Sequence, residues 1–196
     1  MGQSPSLPTE YARLRFTSNS LRNTVIECDS LGLHYQLSTP LEGFKKARVT
    51  TFSRWDAQSQ QYIPFADWER KWFGKGPKGR VRIYSKCQLA EDTDDRFVLT
   101  KYFFPRTWGG QDSPRFNRTF TANNGRQYVW KARDFSLKLY SKDEDVPIAS
   151  YTGRRYFKNA HMPFIRLAPG CEDILDYLVV TCVIAERKRR EAKKKS

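Results

Sequence analysis

The densest group of charges that could bind an anion lies near the end of the chain, in residues 187–195. This window holds seven basic residues and one acid, Glu191, which gives it a net charge of +6. Clustered Lys and Arg suit an anionic membrane leaflet, nucleic acid or a nuclear localisation signal. They equally suit a solvated helix end. The candidate anion-binding or lipid-headgroup-binding residues here are Arg187, Lys188, Arg189, Arg190, Lys193, Lys194 and Lys195.

A glycine-rich stretch provides a second set of candidate anion ligands. Residues 74–81 fit the pattern Gly-x-Gly-x-x-Gly-x-Val, in which small residues let the backbone approach phosphates. The other kinase motifs do not follow, and a dinucleotide fold would need a helix where a strand is predicted after Gly79. We interpret the stretch as a basic hairpin loop. Its candidate phosphate contacts are Lys75, Lys78, Arg80 and Arg82.

The first six residues carry a candidate lipidation motif. They have the form Met-Gly-x-x-x-Ser, which directs myristoylation of Gly2 once Met1 is removed. A disordered start rich in Pro and Ser is the alternative interpretation. One myristoyl chain binds membranes only marginally and needs a second signal such as a polybasic patch. Residues 187–195 would supply that second signal.

Few residues indicate catalysis or metal binding. The two histidines are His34, in a predicted strand, and His161, in a predicted loop, and no Gly-x-Ser-x-Gly elbow or Cys-His signature accompanies them. The acidic segments 91–95 and 143–145 lack EF-hand spacing, so we interpret them as turns between strands. We therefore predict no catalytic residue, no metal site and no cofactor.

Composition predicts one folded, basic domain. The 196 residues carry 35 Lys plus Arg against 21 Asp plus Glu, and 39% are hydrophobic, which excludes wholesale disorder. The amino terminus shows no apolar signal segment, and the cysteines form no Cys-x-x-Cys pair. We expect reduced thiols in a cytoplasmic protein that associates peripherally with membranes, with the nucleus as the alternative. The cysteines are Cys28, Cys87, Cys171 and Cys182.

The element that must position the basic window is the apolar run just before it, residues 174–185. Asp173 is suited to cap a helix there, and Asp176 would lie in its first turn. The run has no polar face, so the predicted helix must be surrounded on all sides. It is shorter than the roughly 20 apolar residues of a membrane span. We therefore predict a helix over 173–190 that is buried within the protein, and no transmembrane span.

Short extended segments fill most of the remaining chain. Asn124-Gly125 is expected to supply the positive φ angles of a tight primed hairpin turn. Residues 65–73 are predicted to form a helical turn or an aromatic cover over one end of the fold. About ten strands before one apolar helix fit a barrel filled by that helix. The predicted strands are 24–28, 33–37, 48–55, 79–85, 97–104, 116–122, 126–132, 135–140, 148–152 and 164–167.

Four segments, taken together and in this order, resemble a fungal family of uncharacterised domains. They are Thr50-Thr51-Phe52-Ser53-Arg54-Trp55-Asp56, Ala66-Asp67-Trp68-Glu69-Arg70-Lys71-Trp72-Phe73, Phe120-Thr121-Ala122-Asn123-Asn124-Gly125-Arg126-Gln127-Tyr128-Val129-Trp130-Lys131 and Ile174-Leu175-Asp176-Tyr177-Leu178-Val179-Val180-Thr181. That family is similar to the tubby, LURP-one and phospholipid-scramblase group. The resemblance implies a mostly β fold, a tubby-like closed antiparallel β-barrel of about a dozen strands around a buried hydrophobic C-terminal helix.

The expected function is binding rather than catalysis. We expect a tubby-like domain over residues 21–190, after a flexible segment 1–20 and before a basic tail 191–196. It would associate with anionic membrane lipids or phosphoinositides through basic surface residues, because tubby domains bind phosphoinositides. The alternative is a nuclear or nucleic-acid-binding regulatory protein. An enzyme uniting His34 or His161 with a nucleophile is the third hypothesis.

Overall fold

The computed structural model describes residues 12–40, 48–70, 79–84, 97–106, 117–133, 136–157 and 160–193. Within them the fold is mostly β, with one long helix at the end. The strands are β1 (Ala12–Phe16), β2 (Thr24–Cys28), β3 (Leu33–Ser38), β4 (Arg48–Asp56), β5 (Gln61–Arg70), β6 (Arg80–Ile83), β7 (Val98–Leu99), β8 (Asn117–Thr121), β9 (Gln127–Arg133), β10 (Ser136–Ser141), β11 (Pro147–Thr152) and β12 (Phe164–Leu167). The helices are α1 (Thr100–Phe103) and α2 (Leu175–Lys193), with short 3-10 turns at Asp29–Leu31 and Glu172–Ile174.

All twelve strands join one antiparallel sheet. Its order is β7-β6-β5-β4-β3-β2-β1-β12-β11-β10-β9-β8, so the first and last strands of the chain pair in the middle of the sheet. No ladder between β7 and β8 is seen in the described ranges, and the predicted closed barrel is therefore unconfirmed. A single bridge between Arg106 and Arg118 connects the segment after α1 to β8.

Helix α2 lies inside the curved sheet, as its apolar composition predicts. Every residue from Leu178 to Ala185 is fully buried, which leaves no face of this part of the helix toward solvent. Side chains from distant strands reach it, because Trp130 of β9 donates to the hydroxyl of Thr181 at 3.0 Å and Tyr35 of β3 donates to Asp176 at 3.1 Å. The predicted burial within protein is confirmed. No helix in the described residues has the length and apolar content needed to cross a membrane.

The helix gives the fold two distinguishable ends. At the first, which we call the helix amino end, α2 begins beside Tyr35 and Arg54. At the second, the helix carboxyl end, Arg190 contacts Asn19 in the connection between β1 and β2. Antiparallel pairing brings the start of β4, the end of β5 and the β11–β12 connection to the carboxyl end as well.

Two predictions of secondary structure are wrong. Residues 65–70 belong to β5 instead of a helical turn or aromatic cover, and five successive residues from Phe65 to Glu69 are buried. The predicted strand 97–104 contains only the two residues of β7 before helix α1 begins at Thr100. Burial of both faces of β5 removes the alternation that identifies a half-buried strand.

Three smaller differences concern turns and boundaries. In the β8–β9 turn only Gly125 has a positive φ, +74°, while Asn124 does not, so the turn is not the predicted primed type. Strand β1 lies in the segment predicted to be flexible, because its alternating apolar residues pair with β12 and β2. Asp173, the expected cap, lies within the 3-10 turn before α2, whereas Asp176 occupies the first helical turn as predicted.

Candidate anion-binding site

Where the carboxyl end of α2 emerges from the apolar interior, its side chains form an ion-pair network. Glu186 is only 1% exposed, and its carboxylate accepts from Nε of Arg189 at 2.6 Å and from Nε of Arg190 at 2.7 Å. Arg190 also donates to the main-chain oxygen of Asn19 at 3.2 Å and lies 3.4 Å from the hydroxyl of Tyr151. Two cations of the basic window therefore hold the helix against the sheet, and their charge is partly neutralised by Glu186.

Polar contacts assemble four elements around this end. The hydroxyl of Thr39 lies 2.8 Å from that of Thr50 in β4 and donates to the main-chain oxygen of Arg22 at 3.0 Å. Arg70, at the end of β5, donates to the Thr50 hydroxyl at 3.1 Å. Arg48 is the residue opposite Arg70 in the β4–β5 register. The β1–β2 connection, β4 and β5 thus present arginines beside α2.

Arg22 and Arg70 have no carboxylate partner in the part of the chain that the structure describes. The guanidinium of Arg70 lies 4.7 Å from the ring centre of Trp68, and its Nε is buried without a hydrogen-bond partner. A buried donor left unpaired costs free energy that a bound acceptor would recover. Arg187 of α2 forms an ion pair with Glu191 at 2.8 Å, one turn further along the helix. We call Arg22, Arg48, Arg70 and Arg187 the arginine cluster.

Electrostatics within the arginine cluster favour an added anion. Burial, followed by the charges of Arg187, Arg22 and Arg48, lowers the pKa of Arg70 to about 10 against an opposing effect of Glu191. Burial, followed by the charges of Arg187 and Arg48, also lowers the pKa of Arg22. Positive charges that lower the pKa of a neighbouring arginine repel it, and an anion placed among them would replace repulsion with attraction.

The second predicted set of ligands is engaged elsewhere. Arg80 pairs with Glu69, with 2.9 Å between Nε and the carboxylate, and Arg82 pairs with Asp67 at 3.0 Å. Gly79 lies in a tightly packed position, because a Cβ there would be 3.0 Å from the Thr100 hydroxyl and 3.1 Å from a main-chain oxygen. Arg80 and Arg82 therefore neutralise two buried acids of β5, and the structure does not bring them into the arginine cluster.

Several predicted residues lie outside what the structure describes. They are Gly2, Lys75, Lys78, Lys194 and Lys195, together with the side chain of Lys193. Lys188 is within α2 and has an interacting partner. Of the predicted residues whose side chains are described, only Arg187 belongs to the arginine cluster.

The helix amino end holds a cleft of about 660 Å³ with a different character. Asp176 accepts from the hydroxyl of Tyr35 at 3.1 Å and from the guanidinium of Arg54 at 3.3 Å. Burial, followed by the charge of Asp176 and the hydrogen bond to it, raises the pKa of Tyr35. Glu172 and Asp173 also line the cleft. Its principal charges are thus paired internally, and its remaining acids disfavour an anion.

The two histidines stand apart from each other. His34 lies in β3 opposite Glu27, and His161 lies in the β11–β12 connection with its Nδ1 2.9 Å from the main-chain oxygen of Met162. Within the described ranges no group of His, Cys, Asp and Glu has the geometry of a metal site. The acidic segment 91–95 lies outside those ranges, whereas 143–145 forms the turn between β10 and β11.

Three cysteines are buried and free. They are Cys28, Cys171 and Cys182. Burial is the main cause that raises the pKa of the Cys171 thiol to about 12 and that of the Cys182 thiol well above its ordinary value. A raised thiol pKa opposes thiolate formation, so the thiols of Cys171 and Cys182 are poor nucleophiles. Cys87 lies outside the described residues.

Sequence reasoning missed Arg22, Arg48 and Arg70. Arg22 is a single cation in the loop 17–23, whereas Arg70 is followed by Lys71 and Arg48 ends the short run Lys45-Lys46-Ala47-Arg48. None of these positions matches a known binding motif. Only antiparallel pairing of β4 with β5 and docking of α2 onto the β1–β2 connection bring them together. The one sequence feature that pointed to this site was the position of Arg187 at the end of a helix predicted to be buried.

Residues 19–191 match a family of unknown function, DUF6593. No curated protein and no solved structure matches the chain.

Proposed function

The chain belongs to the DUF6593 family, whose function is unknown, and we propose that it is a binding domain for phosphate-bearing anions at a membrane surface. The observation that carries this proposal is the arginine cluster at the helix carboxyl end, where Arg22 and Arg70 have no carboxylate partner among the described residues. Guanidinium groups match phosphate oxygens through paired hydrogen bonds, and the cluster offers several of them from separate elements.

Lipid phosphate is the preferred source of the anion. The formal net charge is +14, and the basic window continues beyond the arginine cluster toward Lys193. Basic groups near an anionic leaflet each contribute on the order of 1 kcal/mol to association. The ligand we propose is therefore the headgroup of an anionic lipid or a phosphoinositide, bound by a cytoplasmic protein at the membrane periphery. No catalytic step is part of this proposal.

A second part of the proposal concerns the closure of the sheet. We propose that the sheet closes into a tubby-like barrel around α2 and that the fungal resemblance reflects common ancestry. Two contacts support closure: the Arg106–Arg118 bridge and the hydrogen bond from the amide of Thr119 to the oxygen of Pro105, at 3.1 Å. Both join the segment that follows α1 to β8.

Co-sedimentation with vesicles tests the proposed function. Neutral phosphatidylcholine vesicles are compared with the same lipid containing phosphatidylserine or a phosphoinositide. The wild-type protein should sediment with the anionic vesicles only, and the double variant Arg22→Gln/Arg187→Gln should bind about tenfold more weakly. Arg189 and Arg190 are kept, because their removal would leave the buried carboxylate of Glu186 unpaired.

A matched control removes two positive charges at the other end. Arg126 and Lys142 are exposed and lie in the turns after β8 and β10. Arg126→Gln/Lys142→Gln should bind anionic vesicles as the wild type does. Equal recovery with neutral and anionic vesicles would overturn the proposal, and salt-dependent binding to DNA or RNA in its place would favour the nucleic-acid alternative.

A further inference from the structure

The connection between β11 and β12 exposes an unusual amount of apolar surface. Phe157 is 88% exposed, Tyr156 62% and Met162 42%. Three of the seven large hydrophobic side chains that are exposed in the described residues thus lie in one connection, including the most exposed of all. Exposed apolar side chains that are grouped in one segment are typical of interaction sites.

The base of this connection is held by the sheet. Arg155 and His161 exchange two main-chain hydrogen bonds, at 3.1 and 3.2 Å, and the ring of His161 packs edge-on against Phe164 of β12. Tyr156 and Phe157 follow directly after this bridge. The bridge therefore fixes the start of the segment that presents the two exposed rings.

The exposed rings lie at the same end as the arginine cluster. The hydroxyl of Tyr156 is 3.5 Å from the side-chain nitrogen of Asn19, and Asn19 accepts from Arg190 of α2 at 3.2 and 3.1 Å. Arg22 is three residues after Asn19 in the same connection. One surface therefore combines exposed aromatic rings with Arg22, which has no carboxylate partner among the residues that the structure describes.

The neighbouring charges complement an anionic bilayer. Arg154 and Arg155 directly precede the rings, and the guanidinium of Arg154 lies 4.4 Å from the ring centre of Tyr156. Aromatic rings are enriched at membrane interfaces, where their apolar bodies enter the acyl boundary and their polar edges stay among headgroups. Basic residues beside them contact the lipid phosphates.

We propose that Tyr156 and Phe157 insert into the interface of an anionic bilayer while the arginine cluster binds its headgroups. This inference rests on the proposed function and adds the orientation of the protein: the helix carboxyl end faces the membrane, and the helix amino end faces away. The occupant of the exposed apolar surface is the boundary between lipid headgroups and acyl chains.

Fluorescence of a Phe157→Trp variant tests insertion directly. The difference between its emission and that of the wild type reports the new indole. On vesicles of phosphatidylcholine and phosphatidylserine this difference emission should shift to shorter wavelength and be quenched by lipids brominated near the top of the acyl chain. Tyr102→Trp is the control, because Tyr102 is 67% exposed and lies beside Thr121 and Gln127 at the helix amino end. Its difference emission should not change.

Binding by alanine variants completes the test. Phe157→Ala should bind anionic vesicles about tenfold more weakly, because the variant lacks the aromatic ring that moves from water into the lipid interface. Tyr102→Ala should bind normally. If the wild type co-sediments but Phe157→Trp is neither shifted nor quenched, insertion is wrong and the proposed function survives. If the wild type does not sediment with anionic vesicles, both proposals are overturned.

Discussion

The sheet presents paired charges at the amino end of α2 and, beside the ion pairs of the helix itself, arginines without carboxylate partners in the described residues at its carboxyl end. At the amino end, Asp176 is matched by the guanidinium of Arg54 and the hydroxyl of Tyr35. At the carboxyl end, Arg22 and Arg70 have no carboxylate partner in the described residues, and the pKa of Arg70 is lowered to about 10 by burial and by neighbouring arginines. The helix dipole favours acids at the amino end and cations at the carboxyl end, which matches the positions of Asp176 and of the arginines.

The difference separates a stabilising network from a binding site. Removing one member of the amino-end network leaves a partly buried group without its partner, so stability falls. Removing the charge of Arg22 from the arginine cluster relieves repulsion, so stability should hold or rise while affinity for anions falls. Opposite signs for the two kinds of substitution would establish that the ends have different roles.

The largest expected effect comes from breaking the helix that joins the two ends. Val180 is fully buried, so Val180→Asp would place an unpaired carboxylate in the apolar interior and cost about 4 kcal/mol or more. We expect no cooperative thermal transition by circular dichroism. Val146→Asp introduces the same charge at a valine that is 49% exposed, and it should fold normally. A cooperative transition in Val180→Asp near that of the wild type would contradict burial of α2.

A smaller loss is expected from Tyr35→Phe at the amino end. The hydrogen bond to Asp176 disappears, which should lower the free energy of unfolding by about 1–2 kcal/mol at pH 8 in urea titrations. Tyr102→Phe, on an exposed ring, should retain the wild-type value at that pH.

The pH dependence of Tyr35→Phe provides a second measurement. The folded state raises the pKa of Tyr35 above its unfolded value of about 10. The unfolded chain therefore loses this proton first, and the stabilisation present below pH 10 is lost as the pH rises. One such group contributes at most about 1.4 kcal/mol per pH unit. Above pH 10 the free energy of unfolding should fall less steeply in Tyr35→Phe than in the wild type. Equal slopes would mean that the raised pKa of Tyr35 is wrong.

Much of the fold could be predicted because its signals are local. The run 174–185 has no polar face, which requires burial on all sides, and α2 is buried in that way. Most strands follow alternating or β-branched segments between turn residues. Strand β5 was missed because Asp67 and Glu69 are buried beside Arg82 and Arg80, so its sequence does not alternate. Helix α1 has only four residues, too few for a helical period.

For the candidate site, only its positive charge and its approximate location could be predicted from the sequence. Local basic density identified the end of α2, yet Arg189 and Arg190 serve mainly to pair with Glu186. Arg22 and Arg70 are 48 residues apart in the chain, and their proximity depends on strand order and on hydrogen bonds through Thr39 and Thr50. Long-range pairing of this kind leaves no pattern in one sequence.

The smallest expected effect is a gain in stability from Arg22→Gln. Removing one charge from the arginine cluster should raise the free energy of unfolding by about 0.5 kcal/mol at low ionic strength, or about 1–2 °C in Tm. Screening shortens the reach of the same repulsion, so the gain should shrink as sodium chloride rises from 20 to 500 mM. Differential scanning calorimetry of both proteins across this range measures it.

Arg126→Gln is the control for the Arg22→Gln variant, because it removes one positive charge at the helix amino end, outside the arginine cluster. Its Tm relative to the wild type should change little with salt. A salt-dependent gain in Arg22→Gln alone would locate the repulsion at the carboxyl end. Equal gains in both variants would assign the repulsion to the net charge of the whole protein. A loss of stability in Arg22→Gln would mean that Arg22 stabilises the fold as Arg54 does. That result would remove the difference between the two ends.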